Sequence, residues 1–327
     1  MSDSAVGSAP SLALGRCDEV RAEVFVSVAT PAADPPPRIS GTIAGPRRGR
    51  DTTLPATARL QPTSTPGRAR AIVTEPAYWT PDLPNLYRLE ATVERGDALP
   101  VSSDRLVGLR RLGVRGRSLW LDGHRWVPRG IAATGHDDLA ACKAASVAAV
   151  IDDPDERTLA RADEIGVAVV AVFATATQGD LAAIATHIAA WAAHPSAAVA
   201  ILPCSIDLDT ADEIALSTRE RRGTMLLAAT VSGTAPPPES LPPGIDALVI
   251  TLDANTTPHD GWRSGAPAPL LAWRGTHTSP ATGRAPCDAL QAALAGWGTA
   301  GGRDTLAWDW AGYIVGSRGA AHALEPA

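Results

Sequence analysis

The sequence predicts a chain of two parts, an immunoglobulin-like β-sandwich followed by a compact (β/α)8 TIM barrel. Three observations point there. Residues 17–118 read as short strands of alternating polarity separated by Pro- and Gly-rich turns. From about Ser118 onward, apolar runs alternate with helix-like segments, and the runs number eight. The length of 327 residues leaves room for roughly two domains.

Residues 1–16, rich in Ser, Ala and Gly, are expected to be disordered. EVRAEVFVSV (19–28) then alternates, with Val20, Ala22, Val24, Val26 and Val28 on one face, the period of a half-buried strand. RISGTIAG, RARAIVT, NLYRLEATVE and SDRLVGLRRL follow, separated by turn clusters such as PAADPPP, GPRRGR and PTSTPG. Several short strands in about 100 residues fit a sandwich, placed at 17–118.

The second part, 119–327, opens on WVPRGIA (126–132), then a helix-like DDLAACKAAS (137–146). VAAVID (147–152) precedes a helix from Asp155 to Ile165, with Pro154 and Asp155 as start signals and Gly166 as stop. VAVVAVF (167–173) precedes a helix over 178–193, and AAVAILP (197–203) precedes one over 209–221. MLLAATV (225–231), DALVITL (246–252) and PLLAW (269–273) follow, then a helix at 286–297 and a final strand TLAWDWA (305–311). Continuous apolar runs suit strands buried on both faces. The crossovers 232–245 and 253–268 hold too much Pro and Gly for full helices.

Composition narrows the function classes. The net charge of −6 is spread in mixed signs, and PRRGR (46–50) is too short a basic run to argue for nucleic acid. No apolar run reaches the roughly 18–20 residues of a membrane span, and the first residues lack the pattern of a secretory signal, so a cytoplasmic location with no membrane partner is expected. Cys17, Cys142, Cys204 and Cys287 have no metal-ligand spacing and read as reduced, structural thiols. His259, His277 and His322 share no metal spacing either. GIAATG (130–135) is too loose for a phosphate loop, so no cofactor is expected.

Two stretches carry more specific information. PAYWTPDLPNLYRLEATV (76–93) fixes a turn with Pro81 and Pro84 and alternates Leu86, Leu89 and Ala91 into a core. VGLRRLGVRGRSLWLDGHRWVPRGI (107–131) contains an Asp122-Gly123 hairpin signal. From Tyr78 to Ile131 the chain resembles the junction of glycoside hydrolase family 2, where an immunoglobulin-like domain hands over to the barrel. LAACKAASVAAVIDDPDERTLARADEIGVAVVAVF (139–173), AAHPSAAVAILPCS (192–205) and LAWDWAGYIVG (306–316) resemble later family segments in the right order. The family includes β-galactosidases, β-glucuronidases and β-mannosidases, and it usually carries another β-domain upstream. The resemblance therefore implies a saccharide ligand and an O-glycosyl hydrolase ancestry.

Retaining glycosidases need two carboxyl groups roughly 5–5.5 Å apart, at the C-terminal ends of barrel strands. In the family the acid/base is the Glu of an Asn-Glu pair downstream of His-Pro. Counting from His194 and Pro195, those places hold Cys204 and Ser205. The nucleophile ends the seventh strand, and PLLAWRG (269–275) puts Trp273 there, while Ile151 stands where an Arg braces it. A hydroxyl, a thiol or an indole cannot replace a raised-pKa carboxylic acid or form the glycosyl intermediate.

Substitutes remain near the expected mouth. Asp152 and Asp153 follow strand two, Asp207 strand four, Asp253 strand six, and Asp309 lies at strand eight, so Asp152, Asp253 and Asp309 are fallback catalytic candidates. Against this, Asp155 and Asp209 are expected to start helices and the others to be solvated loop residues. Trp308, Trp310 and His136 are candidate substrate-binding residues, although such tryptophans equally fill space left by lost site residues. Trp191 and Trp297 read as packing residues of outer helices, and His194 as a structural loop residue. Three readings stay open: an inactive homologue that binds carbohydrate or a partner, an active hydrolase with a relocated carboxylate pair, and a structural or assembly protein. Nothing in the sequence fixes the oligomeric state.

Overall fold

The computed structural model describes residues 10–28, 36–49, 54–96, 99–173, 180–264, 268–299 and 310–317. The chain divides into two compact units, one built on residues up to Trp79 with Leu83–Leu109, the other on Thr80–Asp82 with the chain from Arg110 onward.

The first unit contains β1 (Ser11–Cys17), β2 (Arg21–Ser27), β3 (Arg38–Arg47), β4 (Ala56–Arg59), β5 (Gln61–Pro62), β6 (Arg68–Thr74), β7 (Leu86–Glu94) and β8 (Val101–Val107). They form two antiparallel sheets, β1-β2-β6-β5 and β4-β3-β7-β8. Alternation explains their shared core: Ala22, Val24 and Val26 of β2 and Ala69, Ala71 and Val73 of β6 meet Ile39 and Ile43 of β3 and Leu89, Ala91 and Val93 of β7. Two expectations are corrected. Ser11–Arg16 is not disordered but pairs with β2, where Leu12 and Leu14 pack against the core. Val20 is 71% exposed rather than inward, because the Asp18 carboxylate accepts the Val20 and Arg21 N–H groups in a turn that delays the strand to Arg21. The YWTPDLPNLY stretch closes this unit: Tyr78 Oη donates to Asp18 O (2.6 Å), Asn85 Nδ2 to Tyr78 O (3.1 Å), and Ala77 N–H to Tyr87 Oη (2.8 Å).

The second unit begins with a small antiparallel sheet of β9 (Leu112–Arg115), β10 (Ser118–Leu121) and β11 (His124–Trp126). Asp122 and Gly123 turn between β10 and β11 with φ of 48° and 79°, the two positive values that a tight two-residue hairpin demands. There follow β12 (Arg129–Ala132), α1 (Leu139–Ala144), β13 (Ala148–Asp152), α2 (Glu156–Ile165), β14 (Val169–Val172), α3 (Leu181–Trp191), β15 (Ala197–Ile201), α4 (Leu208–Thr218), β16 (Leu226–Ser232), β17 (Ala247–Leu252), β18 (Leu270–Arg274), α5 (Ala285–Thr299) and β19 (Gly312–Val315). Strands β12 to β19 pair in parallel and close into a barrel, β19 returning to β12.

Helix starts follow capping chemistry. Asp155 accepts the Thr158 N–H, Asp180 the Ala182 and Ala183 N–H groups, and Gly166 ends α2 at φ 75°. Helix α4 is capped by Asp207, not by Asp209 as expected; Asp209 lies inside its first turn. The β17–β18 crossover holds a 3-10 turn (Asp260–Ser264) in place of a helix among the described residues. The eighth barrel strand is Gly312–Val315; of the expected 305–311, residues 305–309 lie outside the described residues, and Trp310 and Ala311 precede the strand. A Cβ at Gly312 would sit 2.6 Å from Leu271 Cδ2 and 2.8 Å from Pro128 Cγ, so this register needs the glycine. No helix among the described residues is long and apolar enough to cross a membrane.

Each barrel strand is buried on both faces. Outward residues such as Ile131, Ile151, Ala171 and Ile250 meet the helices, joined by Trp191 and Trp297. Inward residues Val150, Val170, Val199, Ala228, Val249, Leu271 and Ile314 fill the interior, and Leu112, Leu119 and Leu121 of the small sheet belong to the same cluster. Because those leucines are part of the barrel filling, the small sheet falls in the second unit, and the division lies at 109–110 rather than at 118–119.

Arg110 is 3% exposed and donates from Nη1 to the carbonyls of Pro195 and Ala197 and from Nε to Thr224 Oγ1 (3.2 Å). Burial lowers its pKa to about 10, against the opposing charge of Asp163, so it remains a cation at neutral pH. It ties the chain entering β15 to the chain entering β16. Arg110→Met is expected to cost about 2–4 kcal/mol in urea unfolding, since buried acceptors lose their donor. A loss below about 0.5 kcal/mol would mean that water replaces the guanidinium.

Candidate functional site

In a (β/α)8 barrel, chemistry is placed at the C-terminal ends of the strands. At that end of β18, Trp273 points inward. It is 3% exposed, shares the interior cluster with Val172, Ile201 and Ile314, and donates from Nε1 to Gly316 O (2.8 Å) just past β19. Backbone crowding continues there, since a Cβ on Gly316 would lie 2.3 Å from that of Ala132 at the end of β12. The mouth between β18, β19 and β12 is thus occupied by an indole and close-packed backbone. Arg274 follows outside the barrel, its Nη2 3.5 Å from Thr256 O, and burial depresses its pKa.

After β15, Leu202 and Pro203 are buried, Cys204 is half-buried and Ser205 is exposed before the Asp207 cap of α4. These two therefore lie on the short loop at the mouth side of β15. Asp152 is the exposed last residue of β13, and Asp253 is exposed directly after β17. Three strands separate β13 from β17 whichever way round the barrel one counts, so the two carboxylates stand on opposite walls. The fold does not bring them together. Asp309 and Trp308 lie outside the described residues.

Trp310 is not at the mouth. It precedes β19, at the N-terminal end of the barrel, where it is 3% exposed and packed in the layer between barrel and helices. The expectation of a sugar platform there rests on a strand over 305–311, but the strand that pairs is Gly312–Val315, and Trp310 stands before its start. His136 sits on the mouth side, in the turn after β12, partly buried, and its Nδ1 has no hydrogen-bond partner among the described residues.

His194 lies at the opposite end, before β15, and is 7% exposed. Its Nδ1 is 2.7 Å from Asp163 Oδ2 and its Nε2 3.0 Å from Glu156 Oε2, while Asp163 Oδ1 accepts the Ser196 N–H (2.8 Å). Its role is structural, joining α2 to the start of β15. Burial pushes the imidazole pKa down, but the two carboxylates outweigh it and hold it above the ordinary value. The thiols of Cys142 and Cys287 are pushed up to about 12 by burial, which makes both unreactive. Cys287 Sγ donates to Gly130 O (3.3 Å). Among the described residues no three His, Cys, Asp or Glu side chains are grouped to hold a metal. Sequence reasoning placed Trp273 on its strand but missed its bond to Gly316, which depends on where β19 begins.

No protein-family model matches the chain, and no curated protein matches it in sequence. Solved structures do match. Ruminococcus gnavus β-glucuronidase is 12% identical with a TM-score of 0.65, over 95% of this chain and 61% of that one. Lactobacillus rhamnosus β-glucuronidase is 15% identical with a TM-score of 0.63, over 94% and 60%. Bacteroides uniformis β-glucuronidase is 14% identical with a TM-score of 0.62, over 94% and 45%. The chain spans about half to three-fifths of the length of these proteins. At such identities the likeness is one of fold.

The His194 cluster gives a pH test. Its folded pKa is raised, so its contribution is full below the ordinary histidine value of about 6.5 and is lost as pH rises through the folded value. The stability difference between wild type and His194→Gln is therefore expected to be largest near about pH 6 and to shrink toward about pH 9. Urea unfolding across that range checks it, and a constant difference would contradict a charged His194.

Proposed function

We propose that this chain is a glycoside hydrolase family 2-like protein whose barrel no longer performs two-carboxylate hydrolysis and serves as a carbohydrate- or partner-binding body. Trp273 carries this reading. The place where the family resemblance puts the nucleophile holds an indole that is buried, inward and hydrogen-bonded across the mouth. Cys204 and Ser205, at the place of the acid/base pair, have no carboxyl group to offer. The two antiparallel sheets of the first unit are read as the family's immunoglobulin-like module, a reading supported by their shared core and by the fold likeness over 95% of the chain.

A relocated pair is disfavoured. Asp152 and Asp253 face each other across the whole barrel, whereas retaining chemistry requires carboxyl groups about 5–5.5 Å apart and inverting chemistry about 6.5–9.5 Å. For the ligand, an acidic sugar is the first probe, because the Ruminococcus gnavus β-glucuronidase has been solved in complex with D-glucaro 1,5-lactone.

Chromogenic β-glucuronides, β-galactosides and β-mannosides are expected to show no turnover above the uncatalysed rate. Turnover that Asp152→Asn or Asp253→Asn abolishes would overturn the proposal. Trp273→Ala is expected to lower stability by about 3–5 kcal/mol in urea unfolding, as for other buried tryptophans. A loss under about 1 kcal/mol would mean that the indole is not filling the mouth. Calorimetric titration with acidic and neutral oligosaccharides then decides the binding role: no heat at millimolar sugar would leave only the partner-binding body.

A further inference from the structure

The outer face of the sheet β1-β2-β6-β5 carries an open recess of about 340 Å³. Because Val24, Val26, Ala69 and Ala71 point to the core, alternation sends Phe25, Arg68 and Arg70 outward. Register then sets Phe25 opposite Arg70, and Arg70 opposite Gln61. The Arg68 guanidinium lies over the Phe25 ring, 4.0 Å from its centroid. Its Nε is buried without an acceptor, and the Arg68 side chain makes no hydrogen bond or ion pair among the described residues. The ring holds the group in place, and no carboxylate among the described residues uses it. Arg70 has only a distant counter-ion, with Nη1 3.9 Å from Glu23 Oε1.

The wall opposite is the turn between β5 and β6. Thr63 Oγ1 donates to Arg68 O (3.1 Å) and accepts the Thr65 N–H (3.2 Å), and Gly67 takes φ 66° to re-enter the strand. The turn is therefore fixed, with Ser64 and Thr65 lining the recess.

We propose that this recess binds a carboxylate-bearing saccharide through Arg68, independently of anything at the barrel mouth. A planar guanidinium pairs with a carboxylate through two parallel N–H donors, and stacking on Phe25 fixes its plane in advance. Gln61 and the turn hydroxyls are the neutral partners that sugar hydroxyls require. The volume lies at the small end of ligand pockets, the size for about one sugar unit. Glu23 beside Arg70 opposes a second negative charge, so a monoanionic carboxylate is preferred to a phosphate ester dianion.

The test titrates the whole chain with glucuronate, glucose and glucose 6-phosphate, following backbone amide resonances by NMR. Glucuronate is expected to shift Gln61, Thr65, Arg68 and Arg70 at millimolar concentration, less so as salt is raised, with glucose silent there and the phosphate weaker. Arg68→Gln is expected to weaken glucuronate at least about tenfold, with Arg68→Lys intermediate. An unchanged spectrum outside the first sheets confirms that each variant is folded; if Arg68→Gln is not, Arg70→Gln with Gln61→Ala takes its place and the same loss is expected. The proposal is overturned if glucose shifts the same residues equally, if the phosphate binds more tightly, if no shift reaches these residues, or if the variants bind like wild type.

Discussion

A closed barrel of eight parallel strands has to be filled, because it encloses a column that must reach the packing density of a protein interior. In this chain the filling is almost wholly apolar, and its size is matched strand by strand. Gly130 yields to Val150 and Ile314, since a Cβ there would come within 2.8 Å of one and 3.1 Å of the other. Both ends of the column are also closed. Leu112, Leu119 and Leu121 enter from the small sheet at one end, and Trp273 occupies the other. What the mouth can do chemically follows from how it is stoppered.

The two ends of the barrel are closed by different means. At the N-terminal end buried Arg110, His194, Asp163 and Arg222 all have partners. Arg110 binds the carbonyls before β15, and His194 sits between Asp163 and Glu156. Arg222 pairs with Asp246, whose carboxylate also accepts the Leu227 N–H (2.8 Å). Such groups hold the strand entries in register, the stabilising role expected of that face. At the C-terminal end Asp152 and Asp253 are exposed and stand on opposite walls, and Trp273 lies in the interior at the end of β18.

Much of this was legible in the sequence, and the failures have physical causes. Helix starts at Asp155 and the stop at Gly166 were readable because capping is local chemistry within four residues. The Asp122-Gly123 turn was readable for the same reason. The start of β19 was not, because TLAWDWA and GYIV are both apolar, and which one pairs depends on Gly312 fitting against Leu271 and Pro128. That slip carried Trp310 from one end of the barrel to the other. Arg110 gave no signal, since a lone arginine in RRL looks like a solvated strand residue until its acceptors, more than eighty residues away in the chain, are seen. The pairing of Arg68 with Phe25 likewise depends on cross-strand register, which periodicity alone does not fix.

The bond from Trp273 to Gly316 bears on which side chains this position accepts. An indole that fills the mouth also satisfies a buried carbonyl just past the next strand. Replacing Trp273 by a smaller side chain such as glutamate would leave a void beside Val172 and Ile201 and an acceptor at Gly316 without its donor. It would also bury a charge among apolar side chains of the barrel interior. A single substitution at this position is therefore opposed by both packing and hydrogen bonding. The stopper works as a lock, because packing and hydrogen bonding both favour the one side chain.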